Sequence, residues 1–370
     1  MKQMFAVCAA AGALTLALAG CAQPPGQNTA EPGGQASQPS AGAADFKACM
    51  VSDSGGFDDK SFNQTSYKGL TDAAAKLGIQ TGEVESTNTA DFAQNIQSMI
   101  DADCNIVITV GFLLSDDTLA AAKANPDVDF AIVDAAPEGF EELDNLKPLE
   151  FNTAESSFLA GYLAAGMSKT GKVGTFGGTN IPTVTIFMDG YAQGVQHFNT
   201  ARGAKVEVLG WNSERQDGQF VPGDNPFENV QGGQQTAQNL IAQGADVIMP
   251  VAGPAGEGAL QAVQGSGGNA SAIWVDTDGC VSAPNYCPVI VSSVYKGMDV
   301  AVEQAITDSQ AGTFSNEPYI GTLENDGTGL SPFNDFESKV PAELKTELDT
   351  LRGQIISGEI KITSKAQPKG

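Results

Sequence analysis

Short apolar runs alternate with helical patterns along most of this chain, and this alternation restricts the folds that it can adopt. The run at 105–110 is apolar except for Asn105 and Thr109, as in strands that are buried on both faces of a parallel sheet, and a second series begins with the run at 172–176. A stretch with helical spacing follows each run, and two such series succeed one another. The sequence therefore predicts an α/β protein of two doubly wound parallel-sheet lobes, with a ligand cleft between them.

The length of the folded part also favours two lobes, because residues 45–370 exceed what one ordinary core accommodates. We expect the first lobe to comprise 45–152 and about 290–312. We expect the second lobe to comprise 153–289 and about 313–370. The last predicted strands and helices are enough to close both lobes and to cross between them.

The amino terminus has the features of a bacterial lipoprotein signal. An apolar stretch over 4–18, too short to span a bilayer, ends in Leu-Ala-Gly-Cys at 18–21. This pattern predicts that residues 1–20 are a signal peptide, removed together with Cys8, and that Cys21 receives lipid. The alternative is an ordinary secretory signal in which Cys21 is incidental.

Residues 21–44 are rich in Gln, Pro, Gly, Ser and Ala and lack apolar periodicity, which is typical of a disordered tether. The net charge of −25 argues against nucleic acid as a partner and against direct adsorption to anionic lipid. We therefore expect a protein on the extracytoplasmic face of the cell membrane, held there through its lipid anchor only.

Four further cysteines are an even number in an exported domain, which favours disulfides. Cys280 and Cys287 bracket a short loop, so we expect a local bridge. Cys49 and Cys104 each begin a predicted strand, and a second bridge between neighbouring strand starts stays open. A zinc site is the weaker alternative, because the spacings differ from zinc motifs and His197 is the chain's single histidine.

Polar or small residues stand where many predicted strands end, and in open α/β sheets ligands bind at these carboxyl ends. Singly, each could be a turn or helix-capping residue. The polar run at 53–64 contains no Gly-rich phosphate-binding pattern, so it suits a neutral polar ligand with a flat face. Together these positions predict the cleft lining: Asp53, Gly111, Phe112, Asp134, Gly177, Gly178, Gly253 and Asp276.

Two phenylalanines, Phe62 and Phe187, each follow a strand-end turn, one in each lobe. Each alone could be a core residue, but as a pair they could stack on an aromatic base. Asp276 or Asp278 could accept hydrogen bonds from a sugar diol, and Lys296 could offset that charge. The alternative for Lys296 is a surface lysine at the start of a helix.

Catalysis is not expected. The sequence offers no Ser/His/Asp arrangement and no Gly-x-Ser-x-Gly, and His197 lies within a predicted helix. The adjacent carboxylates Asp58 and Asp59 are followed by Lys60, which suits capping and ion pairing better than glycoside hydrolysis. We expect neither a catalytic residue nor a cofactor nor a metal.

The polar run reads Asp-Ser-Gly-Gly-Phe-Asp-Asp-Lys-Ser-Phe-Asn-Gln, and it resembles the opening motif of the basic membrane protein family. These are lipid-anchored substrate-binding proteins of ABC importers, among them the purine nucleoside receptors. Later segments are similar to the family in the same order and spacing: 130–134, 155–161, 172–178, 245–248, 275–278 and 292–296.

The resemblance implies a type I periplasmic-binding-protein fold, ABC permease partners and a purine nucleoside ligand, and we expect a monomer. By position, it implies that Phe62 and Phe187 stack on the base, that Asp276 holds the ribose diol and that Lys296 lies beside it. The remaining implied cleft residues are Asp53, Ser54, Asn63 and Asp134.

The chain departs from the family pattern in three places. Asp278-Gly279 replaces the usual Asp-Gln, the segment 213–228 is longer than usual, and 181–187 lacks the common basic residues. The long segment either alters an edge of the cleft or is a surface insertion. Other readings stay open: the same fold could bind a sugar or a signalling ligand, or act as a sensor without a transporter.

Overall fold

The computed structural model describes residues 45–368, so the predicted signal peptide, the lipidation site at Cys21 and the tether lie outside the described residues. The described chain forms two six-stranded sheets, one in each lobe, and a small two-stranded sheet. This architecture agrees with the two doubly wound lobes that the alternating pattern predicts.

The first lobe contains an all-parallel sheet flanked by helices. Its spatial strand order is 13-5-4-3-1-2 when strands are numbered along the chain. The strands are β1 (Lys47–Ser52), β2 (Gln80–Glu85), β3 (Ile106–Val110), β4 (Asp129–Val133), β5 (Leu146–Phe151) and β13 (Tyr319–Gly321). The flanking helices are α1 (Phe62–Leu77), α2 (Phe92–Asp101), α3 (Ser115–Ala124) and α9 (Met298–Gln310).

The second lobe repeats the arrangement with strand order 14-12-11-10-6-7, in which only the edge strand 14 is antiparallel. The strands are β6 (Lys172–Gly177), β7 (Glu207–Leu209), β10 (Val247–Val251), β11 (Ser271–Asp276), β12 (Ile290–Lys296) and β14 (Thr328–Leu330). The helices are α4 (Thr153–Met167), α5 (Pro182–Arg202), α6 (Val230–Ala242), α7 (Ala255–Gly265), α8 (Gly279–Ser282) and α10 (Ala342–Ile356). The short strands β8 (Trp211–Asn212) and β9 (Asp217–Gly218) pair with each other.

The apolar runs of the sequence form buried strands, as predicted. All five residues of β3 are buried, because helices cover both faces of its sheet. Helix α4 is buried on nearly every side between α5, α10 and the sheet, which explains its high content of Ala, Gly and Ser. Small side chains let these helices approach closely.

The chain crosses between the lobes three times, near Asn152, near Gly297 and between Gly321 and Thr328. The crossings lie side by side, since Asn152 N–H donates to Gly321 O at 2.8 Å and Gly297 N–H donates to Gly327 O at 2.9 Å. A Cβ on Gly327 would lie 2.3 Å from Gly321 Cα, so this approach requires glycine.

The lobe boundaries differ from our expectation at the carboxyl-terminal crossings. Strand β12, at Ile290–Lys296, belongs to the second sheet and not to the first lobe, because it pairs in parallel with β11. The crossing follows this strand, and only α9 joins the first lobe. Conversely, β13 at Tyr319–Gly321 extends the first sheet through its pairing with β5.

The structure contains two disulfides, Cys49–Cys104 and Cys280–Cys287. The first joins the starts of the β1 and β3 region, with a Cα–Cα distance of 6.0 Å, and the second closes the loop around α8 with 4.6 Å. Across residues 45–368, none of the helices is both long enough and apolar enough to cross a membrane.

Candidate ligand-binding site

One cavity lies between the lobes at the carboxyl ends of both sheets. It is lined by Gly111 and by ten residues that the sequence predicts to bind the ligand: Asp53, Ser54, Phe62, Asn63, Phe112, Asp134, Phe187, Gly253, Asp276 and Lys296. Gly177 and Gly178, which were also predicted to line the cleft, are not among the lining residues. Its free volume is about 60 Å³, and residues of both lobes contact each other around it. The lobes are therefore closed in this structure.

A buried lysine joins the two lobes at the centre of the site. Lys296, at the end of β12, forms ion pairs with Asp134 of the first lobe and with Asp276 of the second, the latter at 3.3 Å. All three residues are less than 10% exposed. Burial alone lowers the pKa of Lys296, but the two carboxylates outweigh that effect and raise it, so the ammonium stays charged.

The two aspartates occupy equivalent positions in the two lobes. Asp134 follows β4 with φ 63°, and Asp276 ends β11 with φ 70°. Non-glycine residues in this left-handed region are uncommon, and they cluster at functional sites. In each lobe the turn aims one carboxylate at the same ammonium.

Aromatic rings surround this ammonium group. Lys296 Nζ lies 4.7 Å from the ring centroid of Phe62, 5.2 Å from that of Phe187 and 6.0 Å from that of Phe151. At these distances the ring faces attract the cation. The site thus combines flat apolar surface with buried charge.

A second polar pair lies on the first-lobe side of the cavity. Asn63 Nδ2 donates to Asp53 Oδ1 at 3.0 Å and to the carbonyl of Ser54 at 3.3 Å, whereas Asn63 Oδ1 is buried without a partner. Burial raises the pKa of Asp53 to about 8, and the hydrogen bond from Asn63 opposes the shift. The Asp53 carboxyl is therefore largely protonated at neutral pH.

The charges at 58–60 serve the local structure. The Asp59 carboxylate accepts from the backbone N–H groups of Ser61, Asn63 and Gln64 at 2.8–3.0 Å and so caps α1. Burial raises its pKa to about 6, although these N–H donors oppose the rise. Asp58 is exposed and pairs with Lys60 at 3.1 Å.

Besides the two predicted stacking residues, Phe62 and Phe187, the cavity is lined by Phe227, which the sequence analysis did not identify. Phe187 is 1% exposed, packs in the second-lobe core and lines the cavity between the closed lobes. Phe227 is half-buried and also lines the cavity. A Cβ on Gly178 would lie 2.3 Å from the Phe227 ring, so Phe227 can pack there only because residue 178 is glycine. The Gly177–Gly178 pair was therefore the feature of the sequence that indicated a closely packed side chain at this position.

The long segment 213–228 reaches the edge of the cleft. It begins in the β8–β9 hairpin and ends with Phe227 and Glu228, and Glu228 accepts from Gly55 N–H of the opposite lobe at 2.9 Å. Asp278, the alternative to Asp276, accepts from Cys280 N–H at 2.9 Å at the start of α8 and is not among the cavity-lining residues.

Residues 46–366 match the Bmp family, described as ABC transporter substrate-binding protein PnrA-like. Basic membrane protein D of Borreliella burgdorferi is 30% identical, with 87% of this chain and 89% of that protein aligned. The ABC transporter nucleoside-binding protein BmpA of Lactococcus lactis is 28% identical, with 98% and 99% aligned.

A solved structure supports the same assignment. The solute-binding protein of an ABC transporter system from Aeropyrum pernix K1 superposes with a TM-score of 0.77 at 26% identity, covering 88% of this chain and 94% of that one. The expected type I periplasmic-binding-protein fold is confirmed. The chain belongs to the basic membrane protein family of ABC transporter substrate-binding proteins.

Proposed function

We propose that this substrate-binding protein is lipid-anchored at Cys21 and binds a purine nucleoside in the inter-lobe cavity for delivery to an ABC permease. The observation that carries the proposal is the buried Asp276–Lys296 pair beside the ring of Phe62. A carboxylate suits a sugar diol, and a flat ring suits a base. The 28% identity to a nucleoside-binding protein of Lactococcus lactis supports it.

In the proposed complex, Asp276 accepts hydrogen bonds from the ribose hydroxyls, and Lys296 forms an ion pair with that carboxylate. The base lies against Phe62, and Phe187 or Phe227 supplies the ring from the second lobe. Stacking on an aromatic side chain contributes about 1–3 kcal/mol per base. The two lobes thus each supply one face of the base site.

The base edge meets Asp53 and Asn63. A protonated Asp53 is a hydrogen-bond donor, and ring nitrogens of a purine are acceptors. Asn63 Oδ1 is buried without a protein partner, so it offers an acceptor for an exocyclic amine or ring N–H. The pair therefore favours a neutral base that has both donors and acceptors.

Binding requires movement of the lobes. The free volume of about 60 Å³ is well below the roughly 300 Å³ at the small end of small-molecule sites. A nucleoside is thus admitted only when the lobes separate. The three adjacent crossings are the hinge for this motion.

Calorimetry on the purified full chain tests the ligand. We expect adenosine, guanosine or inosine to bind with a Kd of about 1 μM or below, which corresponds to about 8 kcal/mol. Uridine, free ribose and glucose are the controls. Asp276→Ala should abolish nucleoside binding, whereas Asp58→Ala, at an exposed position, should leave it unchanged. Binding of a sugar without any nucleoside would overturn the ligand assignment.

The anchor and the oligomeric state need separate measurements. Mass spectrometry of the mature amino-terminal peptide should find acyl groups on Cys21, and Cys21→Ser should release the protein from membranes. Light scattering after gel filtration in detergent should give the mass of a monomer. An unmodified amino-terminal peptide would contradict lipid anchoring while leaving the ligand proposal intact.

A further inference from the structure

The loop between β1 and α1 is hydrogen-bonded to the second lobe at three points. Gly55 N–H donates to Glu228, and the carbonyl of Lys60 accepts from Trp274 Nε1 at 3.3 Å. Ser61 Oγ donates to Asp276 Oδ2 at 2.8 Å and also lies 3.4 Å from the carbonyl oxygen of Val275. Only the third bond joins two buried side chains, since Ser61 is 0% exposed and Asp276 is 7% exposed.

The Ser61 hydroxyl bonds the Asp276 carboxylate, which is the group that we propose binds the ligand. Lys296 lies against Asp276 Oδ1 from the same lobe, whereas Ser61 reaches Oδ2 from the opposite lobe. When the lobes separate, the lysine stays with Asp276 and the serine leaves. A hydrogen bond to a buried charged group is among the stronger ones in proteins, so its loss opposes opening.

We propose that Ser61 is a positioning residue that couples lobe closure to the orientation of Asp276. Its hydroxyl bonds the carboxylate only in the closed form, and it holds Oδ2 in place when a ligand occupies the cleft. The part that concerns a bound ligand rests on the proposed nucleoside function. The part that concerns closure of the empty protein does not.

A purely local role for Ser61 does not explain this bond. The Ser61 hydroxyl makes no capping hydrogen bond to α1, because the Asp59 carboxylate accepts from the first N–H groups of that helix. The backbone carbonyl of Ser61 accepts from Thr65, and this bond does not depend on the side chain. Ser61→Ala should therefore keep helix α1 and the fold.

Ser66→Ala is the matched control. Ser66 is also fully buried in α1, but its hydroxyl donates to Phe62 O at 3.1 Å and approaches Met298, both within the first lobe. Both variants lose one buried serine hydroxyl, at the residue preceding α1 and in its second turn. Only Ser61→Ala removes a bond between the lobes.

The full chain carries its own reporter of closure. Of its two tryptophans, Trp274 is 1% exposed and directs its indole N–H across the seam to Lys60. In a Trp211→Phe background, acrylamide quenching of Trp274 fluorescence measures opening without any ligand. We expect Ser61→Ala to raise the quenching constant about twofold or more, because opening becomes roughly tenfold more frequent, and Ser66→Ala to leave it unchanged.

Two further measurements test whether Ser61 acts through Asp276 or only strengthens the contact between the lobes. With Asp276→Ala present, Ser61→Ala should add much less quenching than it does in the parent, since only the longer bond to the Val275 carbonyl remains. For adenosine, Ser61→Ala should speed dissociation at least about tenfold and change association less than about twofold.

The proposal is overturned if quenching of Ser61→Ala equals that of the parent, if Ser66→Ala has the same effect as Ser61→Ala, or if the effect of Ser61→Ala is undiminished beside Asp276→Ala. Absence of adenosine binding would refute the nucleoside assignment alone, because the quenching measurements decide the role of Ser61 without a ligand.

Discussion

Lys296 Nζ lies 3.3 Å from Asp276 Oδ1 of its own lobe and forms a second ion pair with Asp134 across the cleft. One ammonium group therefore compensates two buried carboxylates. The arrangement leaves a net negative charge when all three groups are ionised, and hydrogen-bond donors of a ligand can offset it. The centre of the site is thus built to receive donors rather than an anion.

Lys296→Met should strongly destabilise the protein. It leaves two buried carboxylates without their cation, and breaking a buried pair in this way costs about 3–5 kcal/mol. Lys60→Met is the control, since Lys60 pairs with an exposed carboxylate at the surface, and its expected cost is within about 0.5 kcal/mol. Denaturant unfolding measures both. Equal costs for the two variants would contradict a buried, compensating role for Lys296.

Because of Asp53, we expect the free energy of unfolding to fall as the pH rises. Its folded pKa is raised to about 8, whereas an unfolded aspartate has a pKa of about 3.9. Between these values the folded state binds more protons, so the stabilisation is complete below about pH 4 and is lost as the pH rises through about 8.

Asp53→Asn tests this pH dependence, because it keeps the neutral form at every pH. Its stability relative to the parent should increase between pH 5 and pH 9, and Asp58→Asn should show no such trend. Thermal unfolding at several pH values is the measurement. A difference between Asp53→Asn and the parent that is constant with pH would refute the raised pKa.

The two disulfides should contribute unequally. Cys49 and Cys104 are 55 residues apart, and Cys280 and Cys287 are 7 apart. Loop-closure entropy then gives about 4 kcal/mol for the first and about 2 kcal/mol for the second. Paired Cys→Ala variants, unfolded in denaturant, should reproduce this order. The reverse order would mean that native-state effects outweigh chain entropy.

Gly327→Ala should disturb the hinge. Its Cβ would lie 2.3 Å from Gly321 Cα, so one crossing must shift, at a cost of about 1–3 kcal/mol. Gly353→Ala is the control, because a Cβ there meets nothing within 4 Å and the residue lies within α10. That control should gain about 0.5–1 kcal/mol. Comparable unfolding midpoints for the two variants would argue against close packing at the crossings.

Buried strands could be predicted because their residues are mostly apolar. Edge strands could not, because they lack an apolar run. The five residues of β3 are all apolar except one threonine, and they match the predicted run. Strand β2 reads Gln-Thr-Gly-Glu-Val-Glu at an exposed edge and offers no apolar run. Strand β5 contains Pro148, which disfavours a strand when only the sequence is read.

The sequence predicted those site residues that lie at the carboxyl ends of strands. Asp53, Asp134 and Asp276 follow strands, and the carboxyl ends of parallel strands meet at one edge of each sheet. Phe227 was missed because a loop brings it to the cavity, and loop positions do not follow from periodicity. The boundary at β12 was also missed, since the sequence does not tell on which side of a strand the chain crosses.

The adjacent crossings have a consequence for signalling to the membrane. Connections that share one edge act as a single pivot, so the relative motion of the lobes has one principal coordinate. Ligands of different size would stop that rotation at different angles. A permease that touches both lobes would then sense occupancy as a geometric angle, without contacting the cargo itself.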